Sequence, residues 1–168
     1  MITKDPKDLR ARFEKLLRDT GRENIDYVIE DLDAWGFFTA PASSQGHGAY
    51  PGGLLEHSLN VYDAAMEARQ AMLTLRPDLE EDLAPESIAI AALLHDVCKA
   101  DFYRLVKKKR RNEVGQYEDF EQYEIHDENF PVGHGEKSVI LLLQSGLDLK
   151  DDEIYAIRWH MGPWNLSR

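Results

Sequence analysis

The sequence predicts a mainly α-helical single domain, residues 1–168, with one β-hairpin inserted at about 102–126. Apolar residues recur at three- and four-residue spacing through most of the chain, which is the period of an amphipathic helix. Only over 102–126 does this give way to aromatic, charged and β-branched residues around a glycine-containing turn. No repeat or low-complexity linker divides the 168 residues, a length that suits one hydrophobic core. With 43% hydrophobic and 30% charged residues, the composition is globular rather than disordered or fibrous.

The elements follow in order. Leu9, Phe13, Leu16 and Leu17 mark a first helix stopped near Gly21. Ile25, Val28, Ile29, Leu32 and Trp35 mark a second that ends at Gly36. Together they form a helical N-terminal extension over 1–40. A loop of small residues and breakers follows from Thr39 to Gly46. A long helix is predicted over 54–75 and is broken by Arg76-Pro77-Asp78. Pro85 opens the next helix, which is expected to run to about Lys99. After the hairpin, Pro131 and Gly133 precede a helix over 134–145, whose nearly all-apolar stretch from Val139 to Leu143 predicts burial. Asp151, Asp152 and Glu153 place acids at the positive end of a last helix, and Gly162-Pro163 closes it.

Charge and cysteine content narrow the function classes. A formal net charge of -11 argues against a broad nucleic-acid-binding face, so nucleic acid is possible as a partner but not favoured. The one basic run, Lys107-Lys108-Lys109-Arg110-Arg111, precedes Asn112-Glu113-Val114-Gly115 and reads as a solvated hairpin tip. No apolar run is long enough for a membrane span. Residues 1–5 lack the apolar core of a signal peptide, and a single cysteine, Cys98, suits a reducing compartment, so a cytoplasmic location is expected. Cys98 itself lies in an alanine- and leucine-rich stretch and reads as a buried, inert thiol.

The chemistry concentrates at Leu93-Leu94-His95-Asp96-Val97-Cys98-Lys99. An imidazole beside a carboxylate offers two metal ligands from adjacent positions, and a carboxylate can bridge two ions. Lys99 follows Asp96 by three positions and His95 by four, so on a helix it shares their side. His57, His134 and His160 each stand near a predicted helix end. A single histidine on an apolar helix is usually a hydrogen-bonded core residue. Four in such positions, one beside an aspartate, point to a metal and to hydrolytic chemistry.

The blocks Gly48-Ala49-Tyr50-Pro51-Gly52-Gly53-Leu54-Leu55-Glu56-His57-Ser58, Leu94-His95-Asp96-Val97-Cys98-Lys99, Gly133-His134-Gly135-Glu136-Lys137-Ser138 and Arg158-Trp159-His160-Met161-Gly162 resemble the HD superfamily of metal-dependent phosphohydrolases. The resemblance spans roughly residues 40 to 165. The first block is also similar to the HD domain of bacterial 3′→5′ exoribonucleases, and the hairpin with the last two blocks resembles an uncharacterised bacterial and phage subgroup. It implies an HD-type helical bundle in which His57, His95 and Asp96 hold a first metal. Asp96 would bridge to a second, with His134 and His160 as its matching ligands. Family sites commonly close the first metal with an aspartate on a later helix. No Asp follows His160, and Asn165 is a poor substitute because a neutral oxygen binds a hard cation weakly.

The function expected from this resemblance is hydrolysis of a nucleotide or other small phosphoester by metal-activated water. Asp96 and Lys99 would be the catalytic residues, with Lys99 supplying the cation that neutralises phosphoryl charge. The ordinary alternative for Lys99 is a charge balancing Asp96 or a helix C-terminus. Lys137 and Arg158 are further candidates for substrate phosphate, against the alternative of structural ion pairs. His47 and Tyr50 approach the site in sequence and are expected to line the pocket, whereas His126 is assigned no role. One or two divalent transition ions are implied, and imidazole with carboxylate suits Mn, Fe, Co, Ni or Zn. Two other functions suit the same residues. One is a nuclease or cyclic-nucleotide phosphodiesterase, with Lys107 to Arg111, Tyr103 and Tyr117 as its strand groove. The other is a non-catalytic metal- or ligand-binding HD protein.

Overall fold

A computed structural model describes residues 5–126 and 132–162 of the chain. The readings that rest on Pro131, Pro163 and Asn165, and on residues 1–4, fall outside the described residues. Asp5 caps the first helix, α1 (Pro6–Asp19): its carboxylate accepts from the Lys7 amide at 2.9 Å, and Pro6 takes the first helical position. Then come α2 (Ile25–Ala34), a 3₁₀ turn at Phe37–Thr39, α3 (Gly53–Leu75) and α4 (Pro85–Leu94). Strands β1 (Tyr103–Arg111) and β2 (Tyr117–Ile125) form the hairpin, and α5 (His134–Gln144) and α6 (Asp151–Trp159) follow. The mainly α architecture with one inserted hairpin is therefore present.

A single core joins the helices. Phe13 and Leu17 of α1, Val28 and Leu32 of α2, Leu54 and Leu59 of α3, Ile90 and Leu94 of α4, Leu142 of α5 and Ile157 of α6 are all buried within it. Phe13, Phe37 and Phe38 pack ring on ring at centroid distances of 5.1–5.8 Å, so the helices of 1–40 share the core of the remaining chain. Burying such side chains contributes about 1.5–3 kcal/mol each. Behind the core, Arg22 pairs with Glu153, which is 1% exposed and also accepts from the Lys150 amide at 2.9 Å. Glu153 thus both caps α6 and ties it to the α1–α2 connection, a role beyond favouring the helix dipole.

Three expectations are corrected. The helix carrying the histidine–aspartate doublet ends at Leu94, not near Lys99, because Asp96 takes φ -113°, ψ 20° and the chain continues as a 3₁₀ turn, Val97–Lys99. In α5, Val139 and Leu142 are buried, but Leu143 is exposed, so the apolar stretch is only partly covered. Finally, Lys107 to Arg111 is strand rather than hairpin tip. The tip is 112–116, where the Asn112 carboxamide oxygen accepts from the Val114 and Gln116 amides at 3.2 and 2.9 Å. The cross-strand register sets the basic strand against acids: Lys107 opposite Glu121, Lys109 opposite Asp119, Arg110 opposite Glu118.

Candidate metal centre

His57 is positioned by the loop that enters α3. Ala42 N donates to Gly48 O at 2.8 Å, Gly52 N to Thr39 O at 3.1 Å and Leu54 N to Ala40 O at 3.0 Å. A Cβ on Gly53 would fall 2.1 Å from the Gly48 carbonyl oxygen, so the loop folds this closely over the helix start only because residue 53 is glycine. Leu54, Leu55 and Leu59 go to the core, and His57 lines a cleft beside it, one turn inside α3.

The end of α4 supplies the next groups. His95 Nδ1 donates to the Ala92 carbonyl at 2.9 Å, which puts its proton on Nδ1 and leaves a lone pair on Nε2. Asp96 is 2% exposed. The 3₁₀ turn eclipses residues three apart, and Lys99 Nζ accordingly donates to Asp96 Oδ2 at 2.8 Å. Lys99 therefore reaches Asp96 as its spacing suggests, through a tighter turn than the predicted helix. Cys98, 2% exposed, is buried as expected, with its amide donating to Ser138 Oγ of α5 at 3.3 Å.

His160 arrives from the end of α6. Its Nδ1 donates to the Ile157 carbonyl at 2.7 Å, so its Nε2 also presents a lone pair. Nε2 lies 3.3 Å from Asp96 Oδ1, and neither of these two buried atoms has a hydrogen-bond partner among the described residues. A Cβ on Gly135 would fall 2.4 Å from Arg158 O and 2.7 Å from Ile157 O, so this glycine lets α5 sit directly on the α6 carbonyls next to His160. His134 stands apart from the central group. Its Nδ1 is 3.5 Å from Cys98 Sγ, and its ring meets Phe102 edge-on at 4.7 Å.

Around Asp96 the donors converge. His57 Nε2 and His95 Nε2 are 3.1 Å apart, and they lie 3.4 and 3.1 Å from Asp96 Oδ2. One ligand atom from each of His57, His95 and Asp96 can be chosen so that all lie within 4.8 Å of one another. Lone pairs this close repel unless a proton or a cation lies between them, and Lys99 donates to Asp96 Oδ2. The imidazoles of His95 and His160, with tautomers set by backbone carbonyls, together with His57 and an ionised carboxylate, suit a divalent transition metal as donors. The orphaned Asp96 Oδ1 and His160 Nε2 extend that set on its far side. Burial pushes the Asp96 carboxyl up, but the imidazoles of His160, His57 and His95 outweigh it and hold the group well below the ordinary carboxylate range. At His160, burial alone would lower the imidazole, while Asp96 and the Ile157 carbonyl raise it on balance. Burial, then the Lys99 charge, lowers His134.

The group opens into a cleft of about 570 Å³, lined by His57, His95, Asp96, Lys99 and His160 at one end. Its walls are Val61, Ala65, Ile88, Ala91, Ala92, Ala156 and Met161. Sequence reasoning missed these wall residues, although each helix carries its signal: they stand four and eight after His57, three, four and seven before His95, and four before His160. His47 and Tyr50 line a separate small cavity of about 70 Å³ on the Glu56 side of His57, where the Tyr50 hydroxyl donates to the Glu56 carboxylate. Lys137 and Arg158 are not among the cleft residues, and Arg158 pairs with Glu136 and stacks on Trp159 at 4.3 Å.

No curated protein and no solved structure shows significant similarity to the chain. A family profile described as HD domain matches residues 54–167, well over half of its length and containing every histidine and acid of the central group. With a mainly helical fold and a buried histidine–aspartate cluster at the end of α4, the chain belongs to the HD-domain family of metal-dependent phosphohydrolases.

Proposed function

We propose that the protein hydrolyses a small phosphoester, with a divalent transition metal held by His57, His95 and Asp96 and with His160 on the far oxygen of Asp96. The observation that carries this reading is the convergence of the His57 and His95 imidazoles, the latter with its Nε2 lone pair set by the Ala92 carbonyl, on an ionised, buried carboxylate that lines a cleft. When bound, such a metal supplies Lewis acidity and lowers the pKa of a water molecule toward neutrality. The chain's own groups do the rest. Asp96 stays ionised far below neutral pH and so remains available as a ligand. The carbonyls of Ala92 and Ile157 hold the imidazoles of His95 and His160 in the tautomer that presents Nε2 to the site. Lys99, only 15% exposed and reaching the cleft, offers its ammonium to phosphoryl oxygens as their negative charge grows. Arg158, Lys137, His47, Tyr50 and His134 are not among the residues lining this cleft, and His134 meets Cys98 and Phe102.

A small substrate is favoured over a nucleic acid strand because the basic strand β1 is neutralised from within. Lys107, Lys108 and Arg110 pair with Glu121, Glu124 and Glu118, and Arg110 and Arg111 stack on Phe120 and Tyr117. A strand groove needs its cations free for phosphates.

The test is metal analysis of protein purified without chelator, with phosphate release measured on a phosphoester panel after Mn or Ni addition. His95→Ala and Asp96→Ala are each expected to lose bound metal. Their activity should fall by more than the roughly 10–100-fold that outer-shell losses cost. A folded protein that takes up no metal from solution overturns the reading.

A further inference from the structure

The metal end of the cleft accounts for less than half of its lining, and the remainder has a chemistry of its own. Val61 and Ala65 continue the face of α3 that carries His57. Ile88 and Ala91 precede His95 on the same face of α4, and Ala156 precedes His160 on α6, with Met161 beside it. Three helices thus bring a histidine to one end and aliphatic side chains to the other, in helical register. Apart from the weakly accepting thioether of Met161, none of these wall side chains carries a hydrogen-bond donor or acceptor, and α-helical backbone offers no free polar group along its middle. From His57 to Ala65 is eight residues, so the aliphatic wall extends about 12 Å from the imidazoles at 1.5 Å per residue.

Resting on the phosphohydrolase reading above, we infer that the cleft takes phosphoesters whose organic group is apolar and up to about 12 Å long, an alkyl or aryl alcohol rather than a sugar or a base-specified nucleotide. The phosphate end meets Lys99 and the donor group, and the organic end lies along the α3, α4 and α6 wall. Hydroxyls of a sugar, or the edge of a nucleobase, laid against this wall would exchange water for carbon and find no good partner among the wall side chains, which a site selecting such groups would have to supply. The alanines leave room: a larger residue at 65, 91 or 156 would occupy the space that the organic group fills.

The test uses n-alkylphosphonates from methyl to octyl, which resist hydrolysis, titrated by calorimetry into the full chain with Mn present. Affinity is expected to rise two- to fourfold per methylene, as burial of each CH₂ predicts, and to level off once the chain passes the wall. Ala156→Asp, at an exposed position of α6, and Ala65→Asp should each flatten that dependence. In parallel, hydrolysis of hexyl and phenyl phosphates is compared with that of glycerol phosphate, glucose phosphate and the four nucleoside monophosphates. Equal affinity for methyl- and hexylphosphonate, or a preference for a sugar ester or one nucleobase, overturns the apolar-ligand inference and leaves the phosphohydrolase reading in place. Length-dependent phosphonate binding by a metal-loaded protein that hydrolyses no ester supports the ligand class and overturns the hydrolytic reading instead.

Discussion

Cys98 sits two residues after Asp96 and against the α5 helix, and its surroundings decide its chemistry. Burial pushes its thiol up to about 12, with the nearby Asp96 charge adding to the effect, although Ser138 works in the opposite direction. At pH 8 the thiolate fraction is then on the order of 10⁻⁴, against about a quarter for an unperturbed cysteine. In the folded protein, alkylation by iodoacetamide should therefore run on the order of a thousandfold slower than in urea, measured by mass spectrometry. Labelling at the unfolded rate would show that the thiol is not held as described. Asp96, in the same turn, goes the other way because imidazoles surround it. The two neighbours shift in opposite directions, in keeping with the sequence reading of Asp96 as a ligand and Cys98 as a buried, inert thiol.

At the scale of elements, the doublet works because a helix stops. Had α4 continued through Asp96, the carboxylate would have followed the helical sweep. The bridge-region backbone at Asp96 and the 3₁₀ turn after it keep Asp96, Lys99 and the α4 end together. The close packing of α5 on α6 is the second element-level device. Alanine is the better helix former by about 1 kcal/mol, so propensity alone predicts that Gly135→Ala stabilises the protein. The clash with the Ile157 and Arg158 carbonyl oxygens predicts the opposite sign. Overpacking against backbone should cost about 2 kcal/mol or more, lowering Tm by roughly 4–8 °C and weakening metal uptake through displacement of His160. An unchanged or higher Tm would mean that α5 and α6 have room to separate.

Across the whole molecule, the hairpin is an appendage and the helices are the body. No residue of 103–125 belongs to the buried core, and Leu105, Tyr117 and Ile125 remain exposed. Tyr103 and Ile125 face each other at its base, so a short turn can replace residues 104–124. That excision is expected to leave Tm within about 4 °C and metal content unchanged, by thermal melting and metal analysis. Loss of folding would show that the hairpin supports the helices. The N-terminal helices behave in the reverse manner: they lie before the matched family region, yet Phe13, Val28 and Leu32 are fully buried in the core shared with α3 and α4.

Helix positions were legible in the residues because helical periodicity is local: an apolar stripe and its breakers lie within a few turns of chain. The same locality made His57, His95, Asp96 and Lys99 readable, since their motifs are contiguous with helix starts and ends. Tertiary structure decided what depends on contacts between distant segments. His160, 64 positions after Asp96, reaches its carboxylate, whereas His134 turns toward Cys98 and Phe102. Arg158 is taken by Glu136, and the basic run is answered across the hairpin by acids that no nearest-neighbour reading pairs with it. The aliphatic wall emerged only once three helices lay side by side, because each contributes a few apolar residues, spaced by helical turns from a histidine, whose common space the sequence does not show.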